Sequence, residues 1–242
     1  MKNLIRNLVT IVLLAAVAQI FTFAQETKDS VDVNKIIDKY IDAIGGKDAL
    51  SKIEDRTTIM RGTAMGQSIT VIEKQKTPNK MRQEFKVAAM EQVILFDGEK
   101  GVMQAAGQKI DVTGKELEQL KIQATLDFVL NHEKYGVKSS YLTTEKISEK
   151  DAHKIKLTLP SGLNWVEYYD VETGLKIKEQ RVMETQGQTF EQVITYDNYT
   201  EVEGVKYPFK VMQSIAGQDI DMTVSSVKVN KGIKDDIFVI SE

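Results

Sequence analysis

The residues able to do chemistry in this chain are few: two histidines, no cysteine and several close pairs of carboxylates. His132-Glu133-Lys134-Tyr135-Gly136 opens like a zinc-protease helix motif, but no second histidine follows at the required spacing. That chemistry needs two imidazoles on one helix face. The segment therefore reads as a solvated helix end, with His132 near the negative pole of the helix dipole. Asp151-Ala152-His153 sits at a turn beside lysines and would need a distant serine to complete a nucleophilic triad. Asp219/Asp221 and Asp235/Asp236 lack the ligand spacing of a calcium loop and read as solvated faces or turns. Zero cysteine excludes thiol catalysis and thiolate metal sites. No phosphate-cradling glycine loop, nucleophile elbow or dinucleotide fingerprint is present. The expectation is a protein that is not an enzyme and uses no metal and no cofactor.

The elements that must position any binding site begin after an export signal. Lys2 and Arg6 precede an apolar stretch from Leu8 to Val17, with a small-residue exit at Ala24, the layout of a secretory signal peptide. Leu8 to Ala24 is interrupted by Thr10, Gln19 and Thr22, and falls short of the roughly 20 apolar residues of a membrane helix. Ala16-Val17-Ala18 is a possible cleavage site, but cutting after Ala24 avoids leaving Ile20, Phe21 and Phe23 at the new terminus. The expected division is residues 1–24 as signal peptide and 25–242 as one domain, periplasmic and without a lipid anchor. Removing residues 1–24 leaves 218 residues and shifts the net charge from −3 to −5. That length buries a core without disulfides, and interspersed acidic charge argues against nucleic acid or anionic membrane surfaces as partners.

Periodicity divides the remainder. Ser30 reads as an N-cap, followed by Val33, Ile36, Ile37, Tyr40, Ile41 and Ile44 on one helix face, stopped by Gly45-Gly46. Lys47 to Ile53 adds a short second turn. From Arg56 the period is two, with Met81, Phe85 and Val87 on one face and a continuous apolar run from Val93 to Phe96. A second helical block, Lys115 to His132, carries Leu117, Leu120, Ala124 and Phe128 on one face, widened by Ile122, Leu126 and Val129. Strands resume over Lys154–Leu159, Asn164–Asp170, Leu175–Met183, Thr189–Tyr199, Val205–Ile215 and Ile220–Asn230. Four segments read G-Q-x-apolar: Gly66 to Ile69, Gly107 to Ile110, Gly187 to Phe190 and Gly217 to Ile220. Each lies between two strands, where a glycine supplies the positive φ of a tight hairpin. The fold class is mainly β with helices (α+β): an antiparallel meander curved into a half-open barrel, its concave face covered by an N-terminal and an inserted helix.

The order of these elements resembles the LolA/LolB-like outer-membrane lipoprotein-sorting family, as a diverged member. The resemblance is carried by Tyr40-Ile41-Asp42-Ala43-Ile44-Gly45-Gly46-Lys47-Asp48-Ala49-Leu50, by Lys76-Thr77-Pro78-Asn79-Lys80-Met81-Arg82 and by Phe96-Asp97-Gly98-Glu99-Lys100-Gly101. It continues in Tyr168-Tyr169-Asp170-Val171-Glu172-Thr173-Gly174-Leu175 and in the closing stretch from Val229 to Phe238.

This resemblance implies a half-barrel that holds acyl chains and is closed by a helical lid. Candidate cavity residues are Met81, Phe85, Val93, Leu95, Leu157, Leu159, Phe190 and Ile194, which a packed core would equally place inward. Candidate lid residues are Ile37, Tyr40, Ile41, Leu120 and Phe128, with Lys76 at the position of a basic gate but without the planar fork of arginine. The implied function is a monomeric, non-enzymatic periplasmic carrier of lipid or lipoprotein acyl chains, exchanging cargo with inner- and outer-membrane donor and acceptor proteins. The alternative is an envelope binding or stress-sensor module using the curved sheet as a protein-interaction platform. An enzyme built around His153 is the third reading.

Overall fold

A computed structural model describes residues 31–64, 66–185, 188–215 and 217–241. The expected signal peptide, its two cleavage positions and the Ser30 cap lie outside the described residues. Among the described residues, no helix is long and apolar enough to cross a membrane.

Helix α1 (Val33–Ala43) starts at Asp32, whose Oδ1 accepts the Asn34 N–H at 2.9 Å. It stops where Gly45 and Gly46 both adopt positive φ. A Cβ on Gly45 would collide with the Gly204 carbonyl, and the Lys206 N–H donates to Ile44 O at 2.8 Å. The helix end is thereby fixed against a strand turn. The short helix α2 (Lys47–Leu50) follows.

Six strands come next: β1 (Asp55–Ala64), β2 (Gln67–Lys76), β3 (Lys80–Val87), β4 (Met90–Phe96), β5 (Gly101–Ala105) and β6 (Gln108–Val112). After the inserted helices, seven more complete the sheet: β7 (Lys138–Ile147), β8 (Lys150–Thr158), β9 (Asn164–Asp170), β10 (Lys176–Thr185), β11 (Gln188–Val202), β12 (Val205–Ile215) and β13 (Gln218–Val229). All thirteen form one antiparallel sheet in the order β6-β5-β4-β3-β2-β1-β13-β12-β11-β10-β9-β8-β7. The first and last strands meet in the middle, leaving β6 and β7 as unjoined edges. The curved sheet is therefore not closed into a barrel, as the half-open expectation requires.

Two sequence expectations are corrected. The helical block from Lys115 to His132 is three pieces: α3 (Gly114–Ala124), α4 (Phe128–Asn131) and a 3-10 turn over His132–Tyr135. Thr125 breaks it by taking an extended conformation, and its Oγ1 donates to Lys121 O at 2.8 Å. The break lets α3 and α4 bury different faces. Leu117, Leu120 and Ala124 pack on Met81, Phe96 and Val112, whereas Phe128 and Val129 join α1 against Leu157, Trp165 and Tyr169. Strand β7 had no apolar alternation to reveal it. It is an exposed edge strand, with a register shift at Tyr141/Thr143, and its lysines suit the unpaired side of a sheet.

The opposite face of β4 and β5 is covered by the chain's end. Leu95 and Val102 pack under Phe238 of a 3-10 turn at Asp235–Phe238. Asp55 anchors this segment by accepting the N–H groups of Lys231, Gly232 and Ile233 at 2.9, 2.8 and 3.2 Å.

Candidate functional site: the helix-covered face

Strand register divides the candidate residues between two faces. Met81 and Phe85 alternate with Arg82 and Glu84, and pair across to Phe96 and Gln92 on the face beneath α3. Leu157 pairs with Trp165 beneath α1, and Leu159 belongs to the same cluster. Ile194 is buried in the central cluster with Val71, Val211 and Met222. Phe190 shares its face and is half-buried. Val93 and Leu95 do not belong with these. They pair with Glu84 and Arg82, on the outer face, so both are corrected from cavity lining: Leu95 joins the core beneath Phe238, and Val93 is buried on the same outer face beside Gln104. A continuous apolar run such as 93–96 serves both faces at once, and alternation within it cannot say which residue points inward.

The lid candidates divide as well. Ile37 and Ile41 are buried on β8 and β9, and Tyr40 stacks edge-on to Tyr169 at 5.2 Å. Phe128 stacks edge-on to Trp165 at 6.5 Å, and Leu120 sits over Gly101, where an added Cβ would lie 2.8 Å from its Cδ2. Lys76 is corrected: it faces outward and holds the chain's end, donating to Ile233 O at 2.8 Å and to Asp235 at 3.1 Å. Lys80 reaches the same carboxylate at 2.8 Å, and the two lysines hold the Asp235 carboxyl below its usual range.

Basic residues on the inward face include Arg56, Lys176 and Arg181. Lys176 Nζ lies 2.9 Å from Glu167 Oε1 and 2.8 Å from Glu179 Oε2. Arg181 donates to Glu179 and lays its guanidinium 4.5 Å over the Trp165 ring. Tyr169 donates to Glu167 at 2.5 Å and Tyr196 to Glu179 at 3.1 Å. Two acids and two bases thus balance within a buried network. Burial pushes the Glu167 carboxyl up, but Lys176, the Tyr169 hydroxyl and Arg181 together outweigh it and the net direction is down. Burial likewise works against the Lys176 ammonium, and Glu167 with Tyr196, Tyr40 and Tyr169 carries it well above its ordinary value.

Arg56 lies beneath the end of α3. It donates to Gln75 and stands 3.5 Å from Glu73 Oε1, with its guanidinium 5.6 Å from the Tyr207 ring centre. Gln75 in turn donates to Gln123 O, the last turn of α3, at 2.7 Å. Midway along the helix, Gln119 is 1% exposed and bonds β10 twice, donating to Val182 O at 3.0 Å and accepting from Glu184 N at 3.2 Å. Strand β9 pairs β10 only as far as Arg181, and the glutamine amide takes the bonding positions just beyond. None of these polar contacts was singled out from sequence. Their signal was parity, since Glu167 falls between Trp165 and Tyr169 on inward positions.

Space on the helix-covered face is unequal: a cleft of about 340 Å³ lies between the start of α3 and Met103, Ile110 and Val112, and less lies under α1 and α4. A cavity of about 80 Å³ lies between Ile37, Tyr40, Phe128, Val129, His132, Leu157, Glu167, Tyr169 and Lys176. It is small against the roughly 300–1,000 Å³ of ligand pockets. A cleft of about 420 Å³ between α1 and the 129–134 segment shares Ile37, Val129 and His132 with it. His132 is buried, its Nε2 without a partner among the described residues, which corrects its reading as a solvated helix end. Nearby, Tyr135 donates to Asp127 at 2.6 Å, and burial together with that carboxylate pushes its hydroxyl up to about 12. His153 bonds Thr144 Oγ1 at 3.0 Å through Nδ1. Burial, then the charge of Lys39, lowers its pKa.

An open antiparallel half-barrel with helices across one face defines a LolA-like architecture. Comparison with solved structures supports that class. A LolA superfamily protein from Nitrosomonas europaea aligns with TM-score 0.57 and 17% identity, covering 87% of this chain and 99% of its own. An outer membrane lipoprotein-sorting protein domain from Vibrio parahaemolyticus aligns with TM-score 0.55 and 9% identity over 86% and 97%. A DUF1329 family protein from Desulfovibrio piger gives 0.54 and 10% over the same shares. Neither a scan against protein-family models nor a search of curated proteins returned a match. At these identities the likeness is one of fold.

Proposed function

We propose that this chain is a non-enzymatic carrier that shuttles lipid, or the acyl chains of lipoproteins, through the periplasm after removal of residues 1–24. The observation that carries the reading is the gradient along the helix-covered face. Met81 and Phe96 are buried beneath α3, Phe85 and Ile94 on the same strands are half-buried, and Met90 at the strand end is 71% exposed. An apolar surface closed by helices at one end and open at the other can take chains of different length. Each methylene it removes from water contributes about 0.8 kcal/mol. Met81, Phe85, Phe190 and Ile194 would line the path, with Leu157 and Leu159 beneath α1. The bonding of His153 to Thr144, and not to a carboxylate, supports binding over catalysis.

The cavity described under α1 and α4 is about 80 Å³, so cargo that enters it must displace those helices. Native mass spectrometry of the exported protein, purified without detergent, tests the reading. A co-purifying lipid and displacement of a fluorescent fatty acid are expected. Reproducible absence of both overturns it.

A further inference from the structure

The cleft between α1 and the 129–134 segment holds about 420 Å³, within the roughly 300–1,000 Å³ of ligand pockets. Asn34, Ile37 and Ile41 line one wall, at the spacing of a single helix face. Val129, Leu130 and His132 line the other. Of the three residues that the cleft shares with the 80 Å³ cavity, His132 alone is polar. It is 9% exposed, and its Nε2 is buried without a partner among the described residues. Buried polar atoms are nearly always hydrogen-bonded, so an orphaned imidazole nitrogen where a pocket meets a cavity marks a position for a ligand's polar group.

The surroundings decide what that group is. The charged residues lining the cleft, Asp38, Lys47, Glu133 and Lys134, sum to zero, and Lys47 Nζ lies 2.9 Å from Asp38 Oδ1. Beyond His132, the cavity's Lys176 is already shared by Glu167 and Glu179 at 2.9 and 2.8 Å. A carboxylate or phosphate brought to the imidazole would compete with both for that ammonium, and burying a charge without its own counter-ion is costly. An imidazole presents either an N–H or a lone pair at Nε2, according to its tautomer. A hydroxyl both donates and accepts, so it satisfies either form. We infer that this cleft binds an uncharged amphiphile through a hydroxyl at His132 Nε2, with a short hydrocarbon chain against Ile37, Ile41, Val129 and Leu130. A monoacylglycerol is such a molecule. The site stands apart from the band around Phe85 and is tested apart from the carrier reading.

1-Octanoylglycerol and octanoate share a chain and differ in the head, and titration calorimetry of the exported protein at neutral pH compares them. The glyceride is expected to bind more tightly by about tenfold. His132→Leu removes Nε2 and keeps an apolar side chain. Its melting temperature should match or exceed that of the wild type, since an unpaired buried group costs stability, while octanoylglycerol affinity falls by about tenfold. His132→Gln, whose amide reaches the Nε2 position, should restore that affinity to within about threefold. Phe85→Asn should leave it within about twofold, which places the ligand in the cleft. Tighter binding of octanoate, or a glyceride affinity that His132→Leu leaves unchanged, overturns the site. If lipid still co-purifies in that case, the carrier reading stands without it. Glyceride binding that depends on His132 in a protein that carries no lipid would sink the carrier reading and keep the site.

Discussion

Lys176 Nζ lies 2.9 Å from Glu167 Oε1 on the face that the helices cover, so the interior of this half-barrel carries a buried ion pair. Lys176→Met leaves Glu167 buried with the Tyr169 hydroxyl as its hydrogen-bond donor and Arg181 as the nearby cation. Removing one partner of a buried pair costs about 3–5 kcal/mol. Urea unfolding at neutral pH is expected to show a loss of that size without a change in slope.

The same pair sets a pH dependence. The Glu167 carboxyl is held below its ordinary 4.5, against burial and chiefly by Lys176. Its contribution is present above 4.5 and fades as pH falls through the lowered folded value. Against burial, the Lys176 ammonium is raised above 10.5 by Glu167 and the neighbouring tyrosines, so its contribution holds below 10.5 and fades as pH rises through the folded value. Urea midpoints are expected to form a plateau between these limits. In Lys176→Met, burial acts on Glu167 without the Lys176 ammonium and raises its pKa, so the variant should gain stability as that carboxyl protonates.

Gln119 ties α3 to the sheet beyond the end of β9. Gln119→Leu keeps the bulk but leaves Val182 O and Glu184 N without their side-chain partner. An unpaired buried polar group costs about 1–3 kcal/mol. Hydrogen exchange at the Glu184 amide should accelerate in proportion, while exchange in β12 and β13 stays at wild-type rates. Uniform acceleration across the sheet would mean that Gln119 supports the fold as a whole and not the helix alone.

The sheet was legible because its hairpins declare themselves. Ala106 and Gly107 take φ of 49° and 75°, as a two-residue turn of the hairpin type requires, and the repeated G-Q segment marked four such places. The helical stripe of α1 was equally plain. Hidden were the features that alternation does not encode. Thr125 breaks a helix that propensity would continue, because Leu126 must turn toward the central core. Lys76 matched a family position, yet strand parity sends it to the other face and into contact with Asp235. Glu167 and Glu179 resemble outward residues until their register shows them facing Ile155 and Ile194.

The division of the cavity candidates between two faces makes the last prediction. Leu95 is 2% exposed and packs with Val102 and Phe238, so Leu95→Ala should cost about 2–5 kcal/mol of stability. Lying on the outer face, it should leave the affinity for a fluorescent fatty acid within twofold, measured well below the variant's melting temperature. Phe85 is half-buried, in the apolar band on the way to the open rim, and Phe85→Asn should do the reverse. It exchanges a partly exposed ring for an amide, a small loss to the fold. In a face that receives acyl chains, it should weaken fatty-acid binding by about tenfold, the equivalent of roughly 1.4 kcal/mol. Equal effects of both substitutions on binding would mean that the bound chain does not follow the face covered by the helices.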